Sequence, residues 1–161
     1  MRYNLILNIL GMISKYIGIL FLIPLVCAFF LKEYNAIIPF LSTGIVALII
    51  GFLFSIKKVE QKEIDNIKKS ESLATVFFAW VLFAIICTIP YLFYEMDFTN
   101  ASFEAMSGVT TTGASIINDY TIYPKTLFFF RSLTQWFGGM GIVVLFIAVL
   151  PKISVAQVAL Q

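Results

Sequence analysis

Histidine is missing altogether from this chain, which removes the commonest general base and the commonest metal ligand. Cysteine is scarce. Cys27 and Cys87 each stand alone inside an apolar run, so neither a disulfide framework nor a thiolate metal site is expected. Both read as small core or lipid-facing residues, and Val26 is too large to precede a lipoprotein-processing cysteine. Charge is sparse as well, at 12% of residues, and no carboxylate pair falls within one apolar stretch to share acid–base work. No nucleophile–base pairing stands out either, so an enzyme is not expected. The net charge of +2 says little about partners, and no nucleic-acid partner is expected.

What is present is apolar surface. Hydrophobic residues make up 60% of the chain, and the mean hydropathy is +0.95, far above a soluble domain. The bilayer is the expected solvent, and a spanning helix needs about 20 apolar residues. Residues 36–56 and 72–94 meet that test without a charge, and 132–150 nearly does, its helix starting earlier with Pro124 near the first turn. The first span is charge-free only over 16–31, so Lys15 is expected to reach towards a headgroup layer, and Pro24 to kink the helix. This region is too long for a secretory leader, lacks a small-residue cleavage site and leads into a second span.

The organisation expected is an all-α integral membrane fold. It has an N-terminal transmembrane hairpin (1–56), a lysine-rich loop (57–71), and a span–half helix–loop–span unit (72–161) with spans at 72–94 and 124–150. Lys57, Lys58, Lys62, Lys68 and Lys69 make the loop cytoplasmic by the positive-inside rule, with Arg2 and Lys152 on the same side. Residues 95–123 then lie outside, where Tyr91, Tyr94, Tyr120 and Tyr123 suit an aromatic belt and Arg131 marks the outer end of the last span.

The segment between the last two spans breaks the pattern. Residues 98–109 are moderately apolar, and about twelve residues at 1.5 Å each cross only half the hydrocarbon layer. Thr99 or Asn100 can cap the start, and Glu104 sits early, where a carboxylate meets a positive helix end. Then come Thr110, Thr111 and Thr112, β-branched and poor in helix propensity, followed by Gly113. Non-helical backbone at membrane depth is tolerated only where protein or water satisfies it, typically around a cavity. A dehydrating cation is such a partner: filter loops replace its hydration shell with backbone carbonyls. Extended threonines supply the carbonyls, glycine lets one turn inward, and the half helix points its negative end at the ion.

FEAMSGVTTTGAS, followed by RSLTQWFGGMGIVVLFIAVLP, resembles the first pore repeat of the Trk/Ktr potassium uptake proteins, and the preceding two spans resemble the N-terminal hairpin of the Trk branch. The resemblance implies four linked repeats around one pore and a homodimer in the cell inner membrane. It also implies a cytoplasmic nucleotide- or NAD-binding regulatory subunit. By position, Thr110, Thr111, Thr112 and Gly113 would supply the K⁺-binding filter backbone, and Ala114 and Ser115 its outer end.

One such repeat is present where the family carries four, so the chain is expected to be part of a longer transporter, giving one quarter of a filter to the remaining repeats. A homotetramer of single repeats and a non-transporting four-span scaffold are the alternatives. Glu104, Arg131, Gln135 and Trp136 are the candidates for filter support: Arg131 by pairing with Glu104 or with loop carbonyls, Gln135 and Trp136 by hydrogen bonds behind the filter. Trp136 is equally an interfacial aromatic. Gly138, Gly139 and Gly141 suit either a flexible segment or close helix packing. Asp97 and Asp119 read as exposed loop acids.

Overall fold

Every element in the computed structural model is helical among the described residues, which are 2–56, 59 and 66–158, with side chains described for all but 69 and 144–158. Lys57, Lys58 and Lys62, and the side chains of Lys69 and Lys152, lie outside them.

The first span is two helices nearly in line, α1 (Tyr3–Leu20) and α2 (Leu22–Phe30). Pro24 explains the break, because it offers no N–H to the Leu20 carbonyl and its ring crowds that carbonyl. Phe21 between them keeps φ −66° and ψ −11°, so the path bends without reversing. After a 3-10 turn at Tyr34–Ala36, α3 (Ile37–Phe54) returns along α1. Glycines meet across this pair, Gly18 against Gly44 and Gly11 against Gly51, and a Cβ on Gly18 would lie only 3.0 Å from the Gly44 carbonyl oxygen. Backbones this close suit apolar surroundings, where packing and interhelical hydrogen bonds hold helices together. Ser14 supplies one such bond, its hydroxyl donating to the Ala47 carbonyl at 2.7 Å. The Lys15 ammonium stands 4.7 Å from the centroid of the Phe52 ring, near the end of α3, a cation–π contact between α1 and α3.

Next, α4 (Lys69–Leu92) runs beside α1 and α3, then come the short α5 (Phe98–Val109) and the long α6 (Lys125–Val158). Tyr3–Phe30, Tyr34–Phe54 and Ser70–Leu92 are long and apolar enough to cross a membrane. The fourth expected span falls on α6, which begins directly after Pro124 and continues past residue 150. At one end of the bundle Arg2 closes on the buried Glu71, with Nη2 to Oε2 at 2.7 Å, while the Glu71 carboxylate also takes the Lys68 amide. At the other end a buried cluster of Phe21, Phe40, Tyr91, Ala101, Ala105 and Phe130 joins the hairpin, α4, α5 and α6. Cys87 is fully buried in that cluster, as a small core residue.

Candidate ion filter

Helix α5 begins at Phe98, and its cap lies two residues before the threonine. Asp97, rather than Thr99 or Asn100, is the N-cap, in extended conformation with its carboxylate accepting from the Asn100 amide at 3.3 Å. An acid that reads as an idle loop residue therefore satisfies an orphan amide. One face of the helix is buried, with Ala101, Glu104, Ala105 and Gly108 recurring at helical spacing. Glu104 lies in the middle of α5, too far along to serve its N-terminus, and it is fully buried.

The C-terminus of α5 departs most from expectation. Thr111 is not extended: its φ is +59°, a left-handed conformation that β-branched residues rarely adopt. The hydrogen bonds explain why. The Thr111 amide donates to the Gly108 carbonyl at 3.0 Å and the Thr112 amide to the Ser107 carbonyl at 3.0 Å. This is the Schellman pattern, with a threonine where glycine is usual. Thr110 and Gly113 amides turn the same way, to Met106 at 2.8 Å and Ser107 at 3.4 Å. Because a peptide N–H and its preceding C=O point oppositely, the carbonyls of Thr110, Thr111 and Thr112 are aimed away from the helix end. Among the described residues none of the three receives a hydrogen bond. Gly113 also has positive φ, +79°, and nothing lies within 4 Å of where its Cβ would be. Within this chain its conformation, rather than a clash, calls for glycine.

Beyond Gly113 the segment from Ala114 to Ile117 is held by side chains. Ser107 Oγ donates to the Ala114 carbonyl at 2.5 Å. Glu104 Oε1 accepts from the Ser115 hydroxyl at 2.7 Å and the Ile116 amide at 2.6 Å. Its other oxygen pairs with Arg131 Nε at 2.9 Å, and Arg131 Nη2 reaches the carbonyls of Gly113 and Ala114 at 3.1 and 2.7 Å. Arg131 thus makes both contacts open to it from sequence, ion pair and loop carbonyls together. Ser107 was not singled out by sequence; its signal was position, one turn before the threonines. Further out, Asp119 stays exposed, and the Thr121 hydroxyl and amide at 2.6 and 2.8 Å hold its carboxyl below the usual range.

Helix α6 closes on this assembly from behind. Thr134 is buried with its hydroxyl against Gly108, where a Cβ would meet it at 2.5 Å. A Cβ on Gly138 would collide with the Val109 backbone carbonyl, so here close packing is the role the contacts support. Gly139 meets only the Thr111 methyl at 3.8 Å, and Gly141 borders the Trp80 ring. Gln135 and Trp136 make no hydrogen bond to residues 110–117 among the described residues; Trp136 is 58% exposed, edge-on to Phe137.

The geometry has close counterparts. The potassium transporter TrkH of Vibrio parahaemolyticus, solved by crystallography, superposes with a TM-score of 0.84 at 31% identity, over 94% of this chain and 32% of that one. The Trk system potassium uptake protein TrkH of Escherichia coli K12 is 32% identical over 99% of the chain, and an uncharacterized cation transporter of Methanocaldococcus jannaschii is 35% identical over 91%. The chain spans about a third of the length of such relatives, 33% and 30% for these two. A family model described as TrkH, cation transport protein, matches residues 35–161. With the filter-like turn, its buried brace and this match in hand, the chain belongs to the TrkH cation transport family.

Proposed function

We infer that this chain supplies one span–pore helix–span repeat of a potassium-conducting pore, with Thr110, Thr111, Thr112 and Gly113 lining the ion path. One observation carries the reading. Amides 110–113 all turn back to the end of α5, while among the described residues the carbonyls of Thr110–Thr112 are left without donors. Such a segment presents oxygen and hides nitrogen, which favours a partly dehydrated cation and repels an anion. Gly113 offers its carbonyl's second lone pair, since Arg131 takes the other. Potassium is the ion named for the similar transporters of Vibrio parahaemolyticus and Escherichia coli.

Permeation needs no bond made or broken, so the chain acts as a conduit for K⁺ moving down its electrochemical gradient. The remaining repeats of a longer polypeptide complete the ring. The lysine-rich side faces the cytoplasm, the N-terminus with it, in a multi-pass protein of the cell inner membrane. A homodimer and a cytoplasmic nucleotide- or NAD-binding regulatory subunit complete the system.

Flux and growth measurements test this. The protein in its longest natural form should rescue uptake-deficient cells on low potassium, and residues 1–161 alone should not. Gly113→Ser, strained at φ +79°, should lower K⁺ over Na⁺ discrimination in that form. Unchanged selectivity would count against Gly113 as filter backbone.

A further inference from the structure

Helix α6 carries Arg131, yet it begins without a cap of its own. Pro124 precedes it, and proline has no side-chain acceptor for the first amides. The missing acceptor comes from the other half of the molecule. Glu33, in the turn between α2 and α3, places Oε1 2.9 Å from the Lys125 amide and Oε2 2.9 Å from the Thr126 amide and 2.7 Å from the Thr126 hydroxyl. Thr126 is fully buried, so no solvent competes at that hydroxyl.

Glu33 is itself held in place. Lys32 has φ +58°, its amide donates to the Phe29 carbonyl at 3.2 Å, and the Glu33 amide to Ala28 at 2.9 Å. This is again a Schellman ending, here with a lysine in the left-handed position. A second grip lies close by: Phe130, the residue before Arg131, packs its ring, tilted, against Phe21 and Phe40 of the hairpin at centroid distances of 5.3 and 5.2 Å. Arg131 sits five residues beyond Thr126, about 7.5 Å along the helix axis. Its bond to the Ala114 carbonyl is 2.7 Å, so a displacement on the order of 1 Å would take the pair past hydrogen-bonding range.

We propose that Glu33 is a positioning residue for the filter: by capping α6, the N-terminal hairpin sets the height at which Arg131 holds the Gly113 and Ala114 carbonyls. This rests on the reading of residues 110–113 as the ion path, but its first test does not depend on transport. The hairpin then has a task in ion selection through its grip on the start of α6.

Hydrogen–deuterium exchange of the purified protein, wild type against Glu33→Gln, separates the alternatives. Glutamine keeps the size but replaces one acceptor oxygen with a donor. Amides 125–127 should exchange faster under any role for Glu33. A positioning role requires that amides 112–117, on a different segment, also exchange several-fold faster. Change confined to amides 125–128, with amides 112–117 unchanged, overturns the proposal and leaves Glu33 a local cap. If Glu33→Gln does not fold well enough to measure, Thr126→Val removes one of the three bonds and is read the same way. In flux assays the K⁺ to Na⁺ ratio should fall several-fold in Glu33→Gln. An unchanged ratio in a protein that conducts K⁺ overturns it, whereas loss of K⁺ flux in the wild type itself defeats the transport reading and leaves the exchange result standing.

Discussion

Breaking the Glu104–Arg131 pair from each side, and then from both, measures how the segment from Gly113 to Ile116 is held. The Glu104 carboxylate is wholly buried and accepts from Ser115, Ile116 and Arg131 at 2.7, 2.6 and 2.9 Å. Glutamine at 104 can keep its oxygen on Ser115 and Ile116, but its NH₂ then faces the Arg131 Nε–H, donor against donor. Removing one member of a buried ion pair costs about 3–5 kcal/mol. Arg131 is 16% exposed and retains two loop carbonyls, so Glu104→Gln belongs at the lower end, about 3 kcal/mol. Arg131→Gln strands a fully buried carboxylate and frees two carbonyls, and belongs at the upper end, about 5 kcal/mol. If both losses come from one shared network, the double variant should lose little more than Arg131→Gln alone, giving a coupling of roughly 2–3 kcal/mol. Equilibrium unfolding of the four purified proteins in one detergent gives the cycle. Single losses that add to within about 0.5 kcal/mol would mean the two residues act independently, and the brace would be refuted.

Gly138→Ala should destabilise by about 1–3 kcal/mol through its collision with the Val109 carbonyl, whereas Gly139→Ala, meeting only a methyl, should be neutral or slightly stabilising. Thermal unfolding distinguishes packing from flexibility, since equal losses at both positions would favour flexibility. Thr111→Gly should exceed Thr111→Ala in stability by about 1 kcal/mol, because both lose the side-chain contacts but only glycine accepts φ +59° without strain. Alanine matching glycine would show that the turn relaxes. Burial alone would raise the Glu33 carboxyl, but the Thr126 amide, the Thr126 hydroxyl and the Lys125 amide outweigh it and hold it below the ordinary value. A lowered native pKa stabilises fully above the ordinary range near ~4.3 and is lost as pH falls through the native value. The melting-temperature gap between wild type and Glu33→Gln should therefore persist at neutral pH and narrow only in acid; a gap independent of pH would refute the charge-based cap.

Sequence made the helices legible because burial in lipid demands long uninterrupted apolar runs, and the half helix because its run is too short. Pro24 marked its own break. What sequence hid depended on contacts between distant segments. Thr111 reads as extended by its own β-branching, yet the demand of the helix end for amide donors overrides that preference. Asp97 resembled any loop acid until the helix start was fixed one residue after it. Glu33 could not be found, since its partners lie 92 and 93 residues away and nothing local names them. The Glu104–Arg131 pair was legible for a different reason: two opposite charges in an apolar region have few partners but each other.

The spacing within RSLTQWFGGMG follows from one stripe of α6. At about 100° per residue, Leu127, Phe130, Arg131, Thr134, Gly138 and Gly141 fall on one face, while Trp136 falls about 180° from Leu127. Along that face each residue meets a different level of the structure packed behind residues 108–114. Phe130 meets Phe21, Phe40 and Tyr91; Arg131 meets Glu104 and the loop carbonyls; Thr134 meets Gly108; Gly138 meets Val109. Side chains shrink along the stripe from phenylalanine to glycine, so α6 and the end of α5 approach most closely beneath the threonine turn. A large residue at 138 would lever α6 away from α5, and Arg131, seven residues earlier on the same face, would move with it. Helix packing and the Glu104–Arg131 brace are therefore one mechanical unit, and Trp136 lies off it because its direction on the helix leaves it facing outward.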